Sequence, residues 1–137
     1  MAIDPAAERL LRTHTRTFLI TLRPDGAPTC HPMVALWRAG ALWLNTYRKS
    51  AKARNIAQDP RVACVVVTID DAAQAPSVVL RGRAEIVAAE TLPREPGAAA
   101  APVSRDVTQR VQARLAEGKR VLIRITPDEV RLLGTHA

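Results

Sequence analysis

Apolar and polar residues alternate at a spacing of two through much of this chain, and turn residues interrupt the alternation at short intervals. Such a pattern predicts a succession of β-strands. Residues 5–12 come first as a short amphipathic helix, with Leu10 and Leu11 available for a core. A strand over 17–22 follows, with β-branched and aromatic content and with Phe18, Ile20 and Leu22 on one face. Pro24-Asp25-Gly26 is a strong turn signal, so the strand over 29–37 returns as a hairpin. Arg38-Ala39-Gly40 then turns into a third strand over 41–46.

Beyond it the spacing changes. Ser50 is a suitable N-cap and residues 51–58 are helix-compatible until Asp59-Pro60 stops them. Residues 61–69 are almost continuously apolar and predict a strand buried on both faces. A loop over 70–76 leads to a strand over 78–87, which places Arg81, Arg83 and Glu85 on one side and whose Gly82 invites a bulge or a close backbone approach. Residues 93–102, rich in proline and alanine, read as a mobile loop. Asp106, with Gln109 three residues on, opens a predicted helix with Val107, Val111 and Leu115 on one stripe, ended by Gly118. Residues 121–125 form a further strand, 126–129 a turn, and 130–133 a last short strand.

Six or seven antiparallel strands with short helices and no βαβ regularity predict a mainly β protein, a small barrel with helices around it. A length of 137 residues suits one domain over 1–137. A doubly wound nucleotide-binding fold is not expected, and no Gly-rich phosphate loop is present.

Composition adjusts this outline. The hydrophobic fraction is 47% but the aromatic fraction only 3%, so aliphatic side chains must supply the packing. The net charge of +7 comes from 17 arginines and three lysines spread along the chain, a pattern closer to codon bias than to a basic binding face. With Phe18, Trp37, Trp43 and Tyr47 as its whole aromatic set, the chain also lacks the stacking residues of a nucleic-acid binder. Cys30 and Cys64 fall in predicted strands without a ligand pattern, and read as two buried free thiols of a reducing compartment. No leader pattern or membrane-length apolar run appears, so a cytoplasmic, soluble protein without membrane contact is expected.

The segment from Asn45 to Ile56 carries the clearest chemistry. Arg48, Lys49, Lys52 and Arg54 straddle the start of the predicted helix, with no acidic residue before Asp59. A helix N-terminus exposes unpaired N–H groups and the positive end of the macrodipole, and therefore favours anions over cations. A bound phosphate or carboxylate would accept those N–H groups, the Ser50 hydroxyl and the basic side chains together. The competing interpretation is a solvated basic face.

In order and local sequence the chain resembles the split-barrel flavin-binding superfamily, the pyridoxamine-5'-phosphate-oxidase-like group that includes small reductases using the deazaflavin coenzyme F420. The resemblance is carried by Thr21-Leu22-Arg23-Pro24-Asp25-Gly26-Ala27-Pro28, by His31-Pro32-Met33-Val34, by the segment from Leu44 to Ile56, by Asp59-Pro60-Arg61-Val62-Ala63, by Arg81-Gly82-Arg83-Ala84-Glu85, and by Ile125-Thr126-Pro127-Asp128-Glu129-Val130. It implies an FMN-binding type of split barrel and a homodimer, which also suits a small barrel with strand edges and apolar surface to cover. It further implies that Arg48, Ser50 and Lys52, with Thr46 close by, hold the cofactor phosphate, while the ring lies against Pro32, Met33 and Val34 near Asn45. The run Arg48-x-Ser50-x-Lys52-x-Arg54-Asn55 resembles the F420-dependent branch, which makes an F420-dependent reductase of a small organic substrate the expected activity. An FMN-dependent oxidoreductase and a non-catalytic flavin- or haem-binding barrel are the alternatives.

Hydride chemistry of this kind belongs to the cofactor, so no Ser/His/Asp set or carboxylate pair is required, and none is visible. His14, His31 and His136 are scattered, and His31 abuts the expected ring-binding strand. Arg81 and Arg83 either receive an acidic group or pair with Glu85 or another acid. Trp37 and Trp43 read as packing residues.

Overall fold

A computed structural model describes residues 2–68, 75–94 and 119–134. The chain opens with α1 (Pro5–Thr13), where the Asp4 carboxylate accepts the Ala6 N–H at 2.8 Å and proline takes the first helical position. Six strands follow: β1 (Arg16–Leu22), β2 (Pro28–Arg38), β3 (Ala41–Tyr47), β4 (Arg61–Val67), β5 (Ser77–Val87) and β6 (Arg120–Leu133), with α2 (Ala51–Gln58) between β3 and β4. They close into an antiparallel barrel in the order β1-β2-β3-β6-β5-β4. Closure pairs every described strand on both sides and leaves no open sheet edge along the barrel.

The two tight hairpins form where the turn residues stand. Gly26 takes φ +84° between β1 and β2, and Ala39 and Gly40 take φ +51° and +71° between β2 and β3, the left-handed pair of a type I′ turn. Inside the barrel Leu19, Leu42, Leu44, Cys64, Leu80, Ile123 and Ile125 are shut off from solvent, and Ala7 and Leu11 of α1 and Ile56 of α2 join the same core. Each such aliphatic side chain contributes roughly 1.5–3 kcal/mol on burial, so a core almost without aromatics is sufficient. A second, smaller cluster of Ala41, Trp43 and Leu122 lies on the other side of the β3–β6 wall, against Val87 and Leu92.

Gly82 meets its expectation of a close approach. A Cβ there would lie 2.1 Å from the Thr126 carbonyl oxygen and 2.9 Å from Pro127 Cα. The β5–β6 register shifts between Arg81 and Gly82, which pair with Glu129 and Pro127, so Asp128 is the extra residue of a bulge. That bulge corrects the expected turn over 126–129 and the count of strands at the C-terminal end. Proline, lacking an N–H, sits at the bulge without ending the strand, and 121–125 and 130–133 are the two halves of β6.

Phe18, Ile20 and Leu22 share a face as expected, the outer one, while Thr17, Leu19 and Thr21 point inward. Two further expectations need revision. In β4, Val62, Cys64 and Val66 are buried, whereas Ala63, Val65 and Val67 are only half-buried, because one chain covers one face of this strand. Cys64 is buried, which raises its thiol pKa to about 12, but Cys30 is exposed on the outer side of β2. The loops over 70–76 and 93–102 and the helix expected from Asp106 to Gly118 fall largely or wholly outside the described residues.

Candidate functional site

The end of β3 delivers the chain to α2 through a tight turn. The Arg48 N–H donates to the Lys119 carbonyl oxygen at 2.8 Å, which ties this turn to the start of β6, and the Ser50 N–H donates to the Tyr47 carbonyl at 3.0 Å. Ser50 caps α2 as expected: its Oγ accepts the Ala53 N–H at 3.1 Å and lies 2.9 Å from Thr46 Oγ1. The first α-helical bond runs from the Arg54 N–H to the Ser50 carbonyl at 3.1 Å, so the Ala51 and Lys52 N–H groups precede the helical ladder. No acidic residue stands in the first turn, while Arg48, Lys49 and Arg54 are exposed and Lys52 is half-buried around it.

This helix start is held in place from below. Asn55, 7% exposed, donates from Nδ2 to Thr21 Oγ1 at 3.0 Å, and Thr21 Oγ1 lies 2.8 Å from Thr29 Oγ1. Three side chains thereby fasten α2 to β1 and β2 inside the barrel wall. Next inward along β2 stands His31, whose Nε2 is buried and has no hydrogen-bond partner among the described residues. Burial, and then the charge of Lys52, push its pKa below the ordinary value, so the ring is neutral at physiological pH. An unpartnered ring nitrogen within the field of Lys52 means that this end of the barrel holds a polar group the fold itself does not satisfy.

On the outer side of β3, Arg120 reaches Asn45. Its Nη1 donates to Asn45 Oδ1 at 3.2 Å, its guanidinium stacks 4.0 Å from the centre of the Tyr47 ring, and its buried Nε has no partner among the described residues. A cleft of about 690 Å³ opens elsewhere, between the α1–β1 junction and β2. Its polar end is Thr13, His14, Thr15 and Arg16; its apolar wall is Phe18, Pro32, Val34 and Val67, with Met33 in the same strand.

The predicted site residues are thus distributed over three places. Thr46 and Ser50 touch directly, and Lys52 and Arg48 flank the same helix start. Pro32, Met33 and Val34 all line the cleft, and the partly buried Met33 side chain also packs on the core. Asn45 faces Arg120 rather than the Ser50 cradle. Arg120 was not foreseen, since it stands 75 positions from Asn45 and only the β3–β6 register brings them together. Arg16 and Phe18 were also missed as site features, as were the bonds that Asn55, expected as part of the basic run, and Thr29 make to Thr21; the His31-Pro32-Met33-Val34 segment, paired with β1, was the available pointer to the first two.

Other candidates resolve into structure. Trp37 Nε1 lies 3.5 Å from Glu8 Oε1 and Trp43 Nε1 donates to the Arg38 carbonyl at 2.9 Å, both rings being buried. Arg81, Arg83 and Glu85 share the outer face, but Glu85 is bound by Arg124 at 2.9 Å from Nε, and Arg81 stands 3.8 Å from Glu129. Among the described residues no group of three or more metal-ligating side chains exists, and no helix is long and apolar enough to cross a membrane.

A family model for pyridoxamine 5'-phosphate oxidase matches residues 3–134, and the chain belongs to that family of flavin-binding, split-barrel oxidoreductases. Among solved structures, an F420 reductase is 24% identical, with TM-score 0.69, over 94% of this chain and 98% of its own. A conserved hypothetical protein from Mycobacterium tuberculosis is 27% identical, with TM-score 0.70, over 97% of this chain and 86% of that one. An FAD-binding protein from Mesorhizobium loti is 19% identical, with TM-score 0.66, over 96% and 94%. No curated protein matches the chain.

Proposed function

We propose that this member of the pyridoxamine 5'-phosphate oxidase family is a homodimeric reductase that binds a phosphate-bearing flavin or deazaflavin, coenzyme F420 before FMN, and reduces a small organic substrate by hydride transfer. The observation that carries this reading is the start of α2, a capped, cation-rich and acid-free helix N-terminus fastened to the barrel by Asn55. Arg48, Ser50, Lys52 and the leading N–H groups would hold the phosphate, with Thr46 fixing the Ser50 hydroxyl. Pro32 and Val34 offer an apolar wall to the ring. When bound, the flavin or deazaflavin supplies the hydride chemistry. The chain's own residues bind the phosphate, shape the cleft and exclude water.

The preference for F420 rests on the run Arg48-x-Ser50-x-Lys52-x-Arg54 and on the likeness to an F420 reductase. Asn55, the last residue of that run, is engaged with Thr21 and supports the helix instead of the ligand. The homodimer is favoured by the outer face of β1, β2 and β4. There Val34 is 66% and Phe18 37% exposed beside half-buried Ile20, Val65 and Val67, an apolar stretch that a second copy would cover.

FMN and F420 are titrated separately into the wild type, Lys52→Ala and Arg48→Ala, with binding followed by the fluorescence of each cofactor. Loss of a charge-assisted contact to phosphate should weaken binding roughly tenfold or more in each variant. Undiminished affinity in both variants would remove the phosphate assignment, and tighter wild-type binding of FMN would reverse the order of cofactors.

A further inference from the structure

We propose that the polar end of the cleft is an anion-binding substrate subsite in which Arg16 receives a carboxylate, so that the substrate is a flat, largely apolar molecule carrying one carboxylate. The proposal deepens the reductase reading and rests on it, because the cleft shares the Pro32–Val34 wall assigned to the cofactor ring.

Arg16 stands at the first position of β1, opposite Val34, and two residues before Phe18, which lies opposite Pro32. By strand alternation Arg16 and Phe18 share the outer face, so one cation borders an apolar wall. Its base is fixed: the Thr15 carbonyl accepts both the Ala35 N–H at 2.8 Å and the Thr17 hydroxyl at 3.1 Å. Among the described residues Arg16 has neither an ion pair nor a hydrogen-bonded carboxylate, and no acidic residue lines the cleft. The acid nearest in sequence, Glu8, is already held by Arg12 at 3.1 Å.

A guanidinium of this kind offers a planar fork of donors that fits a carboxylate with two parallel bonds. The volume of about 690 Å³ suits a small ligand beside a ring system. Apolar walls with a single well-placed charged group are the usual way such a site sets orientation, and here they select for a flat acid over its neutral analogue. The α2 cradle and Arg16 are then two separate anion sites, one for the cofactor and one for the substrate.

The test uses 2-naphthoate and its neutral isostere 2-naphthamide as probes, with binding to the full chain read by ligand-observed NMR, with and without cofactor. The acid should bind the wild type roughly tenfold or more tightly than the amide, and Arg16→Gln should erase that difference. The same variant should bind FMN and F420 as the wild type does. Equal binding of acid and amide, no binding of either, or a preference for the acid that survives in Arg16→Gln overturns the subsite. If neither cofactor binds the wild type, the reductase reading fails on its own, while the naphthoate comparison on the cofactor-free chain still decides the role of Arg16.

Discussion

The two faces of β1, β2 and β4 both carry apolar side chains, yet the chain uses them differently. Inward, Leu19, Cys64 and Val66 are sealed within a barrel that also buries Leu80 and Ile123. Outward, Phe18, Val34, Ile20, Val65 and Val67 stay partly open to solvent. A strand that needed only to fold would carry polar residues on the second face. The inner face therefore holds the fold together, and the outer face is available for association and for the cleft.

Neighbouring residues give the sharpest way to break this contrast. Leu19→Ala should lower unfolding free energy by about 2–5 kcal/mol, whereas Phe18→Ala, one position along, should cost less than about 1 kcal/mol in dilute protein. Urea titrations of both variants check the difference, and comparable losses would dissolve the distinction between the two faces. Next in size is the polar tie at the inner end. Asn55→Ala leaves the buried Thr21 hydroxyl one partner short and should cost about 1–3 kcal/mol, with cofactor affinity falling as α2 loosens. Retained stability together with retained affinity would mean that α2 does not need that tie.

A third variant acts only on the outer face. Val34→Glu places a charge where the second copy is expected, and should raise the dimer dissociation constant at least about tenfold with little change in the unfolding of the single chain. Sedimentation at several concentrations reads this directly, and an unaltered dimer would move the interface elsewhere.

The smallest expected effect concerns pH. The His31 pKa lies below its ordinary value of 6.5 because of burial and then Lys52, so the unfolded chain takes up this proton first as pH falls. Stability present above pH 6.5 is therefore lost as pH drops below it toward the folded-state value. Urea midpoints on either side of that pH should show a decline in the wild type that is smaller in His31→Gln. Added phosphate, by offsetting the charge of Lys52, should shrink it as well. A decline of equal size in both proteins would assign it to other groups.

Asp59 adds a separate acid limb. Its carboxyl is held down to about 2, first by the Arg61 side chain, then by the Arg61 N–H, so its contribution is present above the ordinary carboxylate range and goes only as pH falls to about 2.

Much of the barrel could be read from local signals, because its hairpins are closed by turn residues and its strands alternate. The three N-terminal strands, α2 with its Ser50 cap, and the close approach at Gly82 all arise from interactions within a few residues or from the absence of a side chain. The continuity of β6 through Thr126-Pro127-Asp128-Glu129 was not legible. A proline followed by two acids has the local chemistry of a turn, and only the register against Arg81 and Gly82 converts it to a bulge. The orientation of β1 was hidden for a related reason: Phe18, Ile20 and Leu22 are more apolar than Thr17, Leu19 and Thr21, yet the inner face takes the threonines because Thr29 and Asn55 satisfy the Thr21 hydroxyl and the Thr15 carbonyl accepts that of Thr17.

The amino-acid sequence alone determined a small aliphatic β-barrel with a cation-rich, acid-free helix start after its third strand, since periodicity, turn chemistry and capping are short-range properties of the chain. The tertiary structure decided which apolar face was left over, that His31 lies within the field of Lys52, that Arg120 reaches Asn45, and that Arg16 borders the wall made by Pro32 and Val34. Each of these depends on strand register and closure, which join residues far apart in the chain and leave no mark on the local sequence.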